Sequence, residues 1–170
     1  EMNEKKNLTI EETFALAVQN HKEKKLRVAE NLYKKILKIN PNSAGVYYNL
    51  GILFNESNEY TKAIDCYEKA IQIDSNYIQA YINLGIVYKE SDELQKAIIC
   101  FQKAIHIQPD YADAHNHLWL SFIKLRKYQK AINFFQKAIQ LSPTHASAHN
   151  NLGNTLKELG EYQKAIDCYE

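Results

Sequence analysis

The sequence contains few of the residues that mark disulfide scaffolds and phosphate-binding enzymes. Its 170 residues include only three cysteines, three prolines and five glycines. So few cysteines cannot form a dense disulfide framework. The chain also has no glycine-rich phosphate loop, nucleophile elbow or paired-carboxylate motif. The sequence therefore predicts a protein that is not an enzyme, with no catalytic residues, no metal and no cofactor.

An excess of charge of either sign is also absent. Lys and Arg number 21 against 20 Asp and Glu, which leaves a formal net charge of +1, so a surface for nucleic acid or an anionic membrane is not expected. No apolar run approaches the roughly 20 residues that cross a bilayer, and the polar residues 2–7 do not introduce a signal peptide. The predicted partners are proteins or peptides, without nucleic acid or membrane insertion, and the predicted location is cytoplasmic.

What the sequence does contain is a period of 34 residues. Similar five-residue segments begin at Tyr47, Tyr81, His115 and His149, and the same register continues after each of them. A fixed period of this length is typical of one supersecondary unit stacked on copies of itself. Such a chain offers a long surface for binding and no obvious pocket for chemistry.

Each period has the pattern of two helices. Apolar residues are three and four apart, which predicts amphipathic helices. Breaks within the pairs are expected near 57–58, near 91–92 and at Gly160, because Asn, Asp and Gly tolerate the left-handed conformation that ends a helix. Segments 40–42, 74–76, 108–110 and 142–144 separate the pairs, and proline in three of them stops the preceding helix. Strand signals are absent, and the predicted fold is all-α.

The three cysteines occupy the same register of the period, at Cys66, Cys100 and Cys168. Equivalent points on neighbouring helices are about 8–10 Å apart or more, whereas a disulfide tolerates a Cα separation of roughly 7 Å. We therefore expect reduced cysteines that pack as small residues and bind no metal.

Small and large apolar residues alternate in register along the chain. The small positions are Ala63, Ala97, Ala131 and Ala165, with Ala70, Ala104 and Ala138 seven residues later; the large ones include Leu50, Leu84, Leu118 and Leu152, with Tyr67, Phe101, Phe135 and Tyr169. With the proline that ends several periods, this pattern resembles the tetratricopeptide repeat (TPR) family. The resemblance implies a right-handed α-solenoid of stacked helix hairpins, with first helices lining a concave face. It places repeats at about 10–43, 44–77, 78–111 and 112–145 and an incomplete fifth at 146–170, in a single domain over 10–170 after a polar segment at 1–9.

The fifth repeat stops at Glu170, within its second helix. Solenoids usually end in a capping helix with a polar outer face, and none is found here. We therefore expect either a fragment of a longer protein or an open end that self-associates, and we favour the fragment.

TPR relatives generally bind extended peptides along the first helices, which identifies candidate binding positions. One row holds Asn49, Asn83, His117 and Asn151, and the amides of its three asparagines offer both donors and acceptors to a peptide backbone. This row resembles the asparagine ladder of the TPR superhelix of O-linked N-acetylglucosamine transferases. Two flanking rows complete the candidate site: Tyr48, Ile82, Asn116 and Asn150, and Ile52, Ile86, Leu120 and Asn154.

The flanking rows change from apolar to polar along the chain, which favours a ligand with an apolar anchor and a hydrophilic tail. An alternative remains for each row: the asparagines bridge neighbouring helices, and Ile52 and Ile86 pack between them. The basic pair of a carboxylate clamp is missing, so capture of an acidic C-terminal tail is not expected.

The fourth repeat departs from the pattern at Trp119 and at Arg126, which replaces the usual turn residue. Trp119 stands where other repeats have Gly51, Gly85 and Gly153, which indicates either a repacked interior or a surface ring for a partner, and we favour repacking. Histidines cluster there as well, at His115, His117, His145 and His149, although nothing in their spacing enforces a metal site.

These observations predict a non-catalytic scaffold that binds a peptide or protein segment on its concave face. Two alternatives stay open: the recognition arm of a larger enzyme such as a glycosyltransferase, and a self-assembling TPR module.

Overall fold

The computed structural model describes residues 8–169 of the chain. Within them all regular structure is helical, so the predicted all-α fold, an α-solenoid class built of helix hairpins, is confirmed. The helices are α1 (Ile10–Lys22), α2 (Leu26–Ile39), α3 (Ala44–Glu56), α4 (Tyr60–Ile73), α5 (Ile78–Glu90), α6 (Leu94–Ile107), α7 (Ala112–Lys124), α8 (Tyr128–Leu141), α9 (Ala146–Glu158) and α10 (Tyr162–Asp167). Odd-numbered helices are the first helices of the predicted repeats, and even-numbered ones are the second helices.

The chain forms two compact units, one ending at Ala80 and the other beginning at Tyr81. We call them the N-terminal and C-terminal units. In each, alanines of the repeat pattern are buried against large side chains, such as Ala63 with Tyr67 in the first and Ala97 with Phe101 in the second. Ala138 is the member of the predicted small set that stays half-buried. The number of domains stays a prediction.

Each hairpin turn contains one residue in the left-handed conformation. In the α3–α4 turn it is Asn58, with φ 58°. The N–H of Glu59 bonds to the Phe54 carbonyl at 2.8 Å, and the N–H of Asn58 bonds to that of Asn55 at 3.0 Å, which is the Schellman pattern of a helix end. The predicted breaks at Asn58, Asp92 and Gly160 are therefore confirmed. In two other hairpin turns the left-handed residue is Lys24 or Arg126. For such residues the left-handed backbone costs about 1–2 kcal/mol.

Close packing within three hairpins depends on a glycine beneath an aromatic ring. A Cβ added to Gly51 would lie 2.5 Å from the Tyr67 ring, and one added to Gly85 would lie 2.6 Å from the Phe101 ring. Gly153 has the same relation to Tyr169. These distances are far below van der Waals contact, so the ring lies directly on the backbone of the first helix.

Trp119 occupies this register in α7 and packs differently. Its ring is half-buried, and its Nε1–H donates to Thr155 Oγ1 of α9 at 3.1 Å. The hydroxyl of Thr155 in turn donates to the Asn151 carbonyl. Trp119 therefore joins two successive first helices, which agrees with a repacked interior rather than a surface ring.

Candidate functional site

The candidate positions of the N-terminal unit lie on α3, where all three side chains are half-buried. The Tyr48 ring packs 4.9 Å from Tyr77 and 6.0 Å from Tyr67, measured between ring centroids. The Nδ2 of Asn49 donates to the carbonyl of Gly45 at 2.7 Å. The Asn49 amide nitrogen thus bonds back within its own helix, while its oxygen can accept a hydrogen bond from a ligand. Ile52 is the third of these side chains.

In the C-terminal unit the candidate row begins on α5. Ile82 is only 6% exposed, and Asn83 and Ile86 are half-buried. A side chain as covered as Ile82 has little surface left for a ligand. Asn83 and Ile86 are the more accessible members on this helix.

His117 on α7 fills the space between an aromatic ring and a lysine. Its ring stacks on Phe101 with centroids 5.2 Å apart and an interplanar angle of 18°, and Lys89 Nζ lies 3.4 Å from Nδ1. Burial lowers the pKa of His117, and the charge of Lys89 lowers it further. The neutral ring accepts from Lys89 through Nδ1, leaving Nε2–H as a donor.

Accessible candidate residues are found on α7 and α9. Asn116, Leu120 and Asn150 are exposed, with 44% of Leu120 accessible to solvent. Asn151 is 1% exposed and donates through Nδ2 to Asn116 Oδ1 at 3.2 Å. Asn154 accepts from the Tyr169 hydroxyl at 2.7 Å. The first three residues offer a ligand both amide groups and an apolar side chain.

The proposed amide ladder is thus partly used by the fold itself. Asn49 bonds within its helix, and Asn151 links α9 to α7, as in the structural alternative raised above. Ligand contact by the three rows stays a prediction.

A buried pair of histidines is the polar feature that the sequence pattern did not reveal. The Nε2 atoms of His115 and His145 lie 3.0 Å apart, and each is 2.7 Å from the carbonyl of Pro109. The Ala148 N–H donates to His145 Nδ1 at 3.4 Å, which places the proton of that ring on Nε2. His115 Nδ1 is buried without a hydrogen-bond partner among the described residues.

The surroundings of His115 favour its neutral form. Burial lowers the pKa of His115; the hydrogen bond to Pro109 opposes that shift, and the nearby charge of His145 adds to it. Among residues 8–169, no three His, Cys, Asp or Glu side chains come together so that they could hold a metal ion. Because both rings lie beside the Pro109 carbonyl, the pair joins the loop before α7 to the start of α9.

The cysteines and helix lengths settle two further points. No disulfide links Cys66, Cys100 and Cys168, and burial raises the pKa of Cys66 to about 11, assisted by Asp65. A thiol with so high a pKa is a poor nucleophile. Within the part of the chain that the structure describes, no helix is both long and apolar enough to cross a membrane.

A second surface of the C-terminal unit lies between the second helices α6 and α8. It holds two adjoining cavities of about 370 and 470 Å³, both lined by Gln102 and Phe134. None of the candidate residues lines either cavity. The register comparison holds a signal that could have found this surface: Phe134 stands where other repeats have Leu32, Cys66, Cys100 and Cys168.

Comparison with known proteins identifies the repeat. Family models described as TPR repeat or tetratricopeptide repeat match residues 32–65, 53–92, 78–111, 112–145 and 134–167. No curated protein sequence matches the chain. None of these matches names a catalytic family or links the chain to O-linked N-acetylglucosamine transferases.

Solved structures of TPR-type proteins resemble the whole fold. One is the MamA protein, with 26% identity and a TM-score of 0.74 over 94% of this chain and 87% of that one. Another is YrrB, described as a TPR protein with an unusual peptide-binding site, with 22% identity and a TM-score of 0.68 over 92% and 80%. PilF of Pseudomonas aeruginosa gives 21% and 0.68 over 94% and 74%. The last two resemblances concern the fold alone.

The matched repeats together cover residues 32–167, and the helix hairpins follow the same register. The architecture of the chain is that of a protein-interaction scaffold. The chain belongs to the tetratricopeptide repeat family.

Proposed function

We propose that this chain is a non-catalytic scaffold that binds an extended peptide or protein segment along its first helices. The observation that carries the proposal is the set formed by Asn116, Leu120 and Asn150, which are exposed on α7 and α9 close to the buried Leu118 and Asn151. Amide groups beside an apolar side chain suit a peptide backbone with an occasional apolar anchor. The printed description of YrrB, a TPR protein with a peptide-binding site, supports the same mode of action.

Peptide selection on the intact chain tests this proposal. A random peptide library would be panned against the immobilised protein, and the recovered peptides measured by isothermal titration calorimetry. Leu120→Glu puts an unpaired charge into the apolar contact, so we expect affinity to fall roughly tenfold or more, as for a central interface residue. Lys62→Glu, on α4, is the matched control and should leave affinity unchanged.

The opposite pattern would contradict the proposal. Recovered peptides that bind Leu120→Glu as tightly as the native chain do not use the first helices. Circular dichroism of both variants checks that the helices remain folded, because both substituted side chains are exposed.

Self-association is a second candidate, supported by the last hairpin. Tyr162, Ile166 and Tyr169 are exposed apolar or aromatic side chains on or beside α10, and a second copy could cover them. Sedimentation velocity over a wide concentration range would detect it, and Tyr162→Lys should abolish any dimer that uses this surface. A role as the recognition arm of an enzyme, acting in the cytoplasm, remains an alternative that would use the same first-helix rows.

A further inference from the structure

The surface between α6 and α8 forms one continuous groove. Its two cavities share Gln102 and Phe134, one extending toward Lys127 and the other toward Leu141. We call this surface the second-helix groove. It belongs to the C-terminal unit alone and lies apart from the first-helix rows.

The groove contains apolar side chains that are accessible to solvent. Ile99 is 57% exposed and Leu141 is 80% exposed, while Phe134 and Ile105 are half-buried at the floor. Contact with a partner would remove this apolar surface from water, which is the main driving force for association.

The charge around the groove is of one sign. Lys127, Lys130 and Lys137 line it together with His106, and no acidic residue lines either cavity. None of these lysines forms an ion pair within residues 8–169.

Other repeats compensate the corresponding lysine. Lys62 bonds to Glu59 and Lys96 to Glu93, each three residues earlier. The residue three positions before Lys130 is Lys127, so this repeat places a second cation where the second, third and fifth repeats place an acid. An acidic partner could therefore form charge pairs here that the chain itself does not supply.

The spacing of the two cavities defines the shape of such a partner. Along α8 one cavity is lined from Lys127 to Phe134 and the other from Phe134 to Leu141. Their centres are thus about seven residues apart, or roughly 10 Å along a helix. Apolar residues at i and i+7 of a partner helix, on one face after two turns, have this separation.

We propose that the second-helix groove binds an amphipathic helix of a partner protein, with apolar anchors at i and i+7 and acidic residues along the edge beside α8. Ile99, Phe134 and Leu141 contact the anchors, and Lys127, Lys130 and Lys137 pair with the acids. A symmetric dimer through the same groove is disfavoured because an isologous interface would bring the two sets of lysines together.

A pair of synthetic peptides tests this binding on the full chain. The first is an 18-residue fluorescein-labelled helix with Leu at i, i+3, i+4 and i+7 and Glu on both flanks, and the second replaces every Glu with Lys. Fluorescence anisotropy should show saturable binding of the Glu peptide, weakened by added salt because exposed charges are screened. The Lys peptide should not bind.

Variants locate the site. Ile99→Asp introduces the residue found at the same register in Asp65, at an exposed position, so the helix should remain folded. We expect this change, or Lys130→Glu, to lower the affinity for the Glu peptide by roughly tenfold or more. Lys62→Glu, the register equivalent in the N-terminal unit, is the control and should change affinity less than about twofold.

Three results would overturn the proposal. These are no saturable binding of the Glu peptide, equal binding of the Lys peptide, and a concentration-dependent dimer in sedimentation that Ile99→Asp removes, which would assign the groove to a second copy. Leu120→Glu distinguishes this site from the first-helix rows. If that change abolishes peptide binding and Ile99→Asp does not, the second-helix groove is not the site, whereas the first-helix proposal stands.

Discussion

The second helices of the N-terminal unit and α8 of the C-terminal unit carry different surface charge on the same backbone plan. In the N-terminal unit, Glu30 of α2 pairs with Lys34, and Lys62 of α4 pairs with Glu59. At the registers of Glu30 and Lys34, α6 has Ile98 and Gln102. At those of Lys62 and Glu59, α8 has Lys130 and Lys127, whereas α6 keeps the pair of Lys96 and Glu93. One surface is a set of compensated charges, and the other is an apolar groove with uncompensated lysines.

The difference shows that fold and surface vary independently in this chain. Exposed ion pairs contribute only about 0–1 kcal/mol each, so the N-terminal unit gains little stability from its charges and the C-terminal unit loses little without them. The buried positions are similar in the two units, because Tyr67 and Phe135 are both almost fully buried. Stability is therefore expected to depend on these positions rather than on the surface charges. Three predictions test this separation of stability from surface, in order of decreasing effect.

The largest effect is expected at two adjacent phenylalanines of α8. Phe135 is 0% exposed, so Phe135→Ala should lower the free energy of unfolding by roughly 3–5 kcal/mol, the usual cost of removing a core aromatic. Phe134→Ala, at the half-buried groove floor, should cost clearly less, about 1–2 kcal/mol. Urea denaturation followed by circular dichroism measures both. Equal losses would show that the groove residue serves stability as much as the core residue does.

A smaller effect is expected at the glycine beneath a ring in the N-terminal unit. Gly51→Ala pushes a methyl group against Tyr67, and we expect a loss of about 1–3 kcal/mol from overpacking. Gly45→Ala on the same helix meets nothing within 4 Å and should change stability by no more than about 0.5 kcal/mol. Thermal unfolding of the pair provides the measurement. A tolerated Gly51→Ala would mean that Tyr67 moves without cost.

The smallest effect concerns pH and the buried histidines of the C-terminal unit. Because the pKa of His115 is lower in the folded chain, the unfolded chain binds more protons, and stability should fall as pH decreases below about 6.5. Above that pH the stabilisation linked to His115 is fully present. It decreases as pH falls and does not decrease further once pH is below the pKa that His115 has in the folded chain. Asp110 and His145 face this ring and act on it in opposite directions. His117, whose pKa burial also lowers, should contribute in the same direction.

Urea midpoints of the native chain and His115→Asn, measured between pH 5 and pH 8, check this dependence. The variant lacks one titrating ring and should show a shallower slope. Identical slopes would remove His115 from the explanation.

The sequence allowed the fold and most of its turns to be predicted because these depend on local patterns. Asn58, Asp92 and Gly160 were identified as helix ends from residue type, and all three adopt the left-handed conformation. Arg126 occupies the same position against its own preference, so only the period indicates a turn there. The register also indicated a close helix contact at Gly51 and an exception at Trp119.

The contacts of individual polar side chains could not be predicted in the same way. The His115–His145 pair joins residues 30 positions apart through the carbonyl of Pro109, and rotamers that place two rings on one acceptor leave no periodic signal. The rows on the first helices were predicted as positions, but the burial of Asn151 depends on its bond to Asn116. The second-helix groove could have been predicted from the sequence, because Ile99 and Lys127 differ in type from Asp65 and Glu59 at the same registers.

The rings that lie on glycine have a consequence for how such a chain can grow. Gly51 and Tyr67 belong to one hairpin, and Gly85 and Phe101 to the next, so in these hairpins the contact that sets the distance between the two helices lies within the hairpin. A duplicated stretch of 34 residues would therefore arrive with its internal angle already determined. Adding or removing whole 34-residue repeats then requires new side chains only where neighbouring hairpins meet.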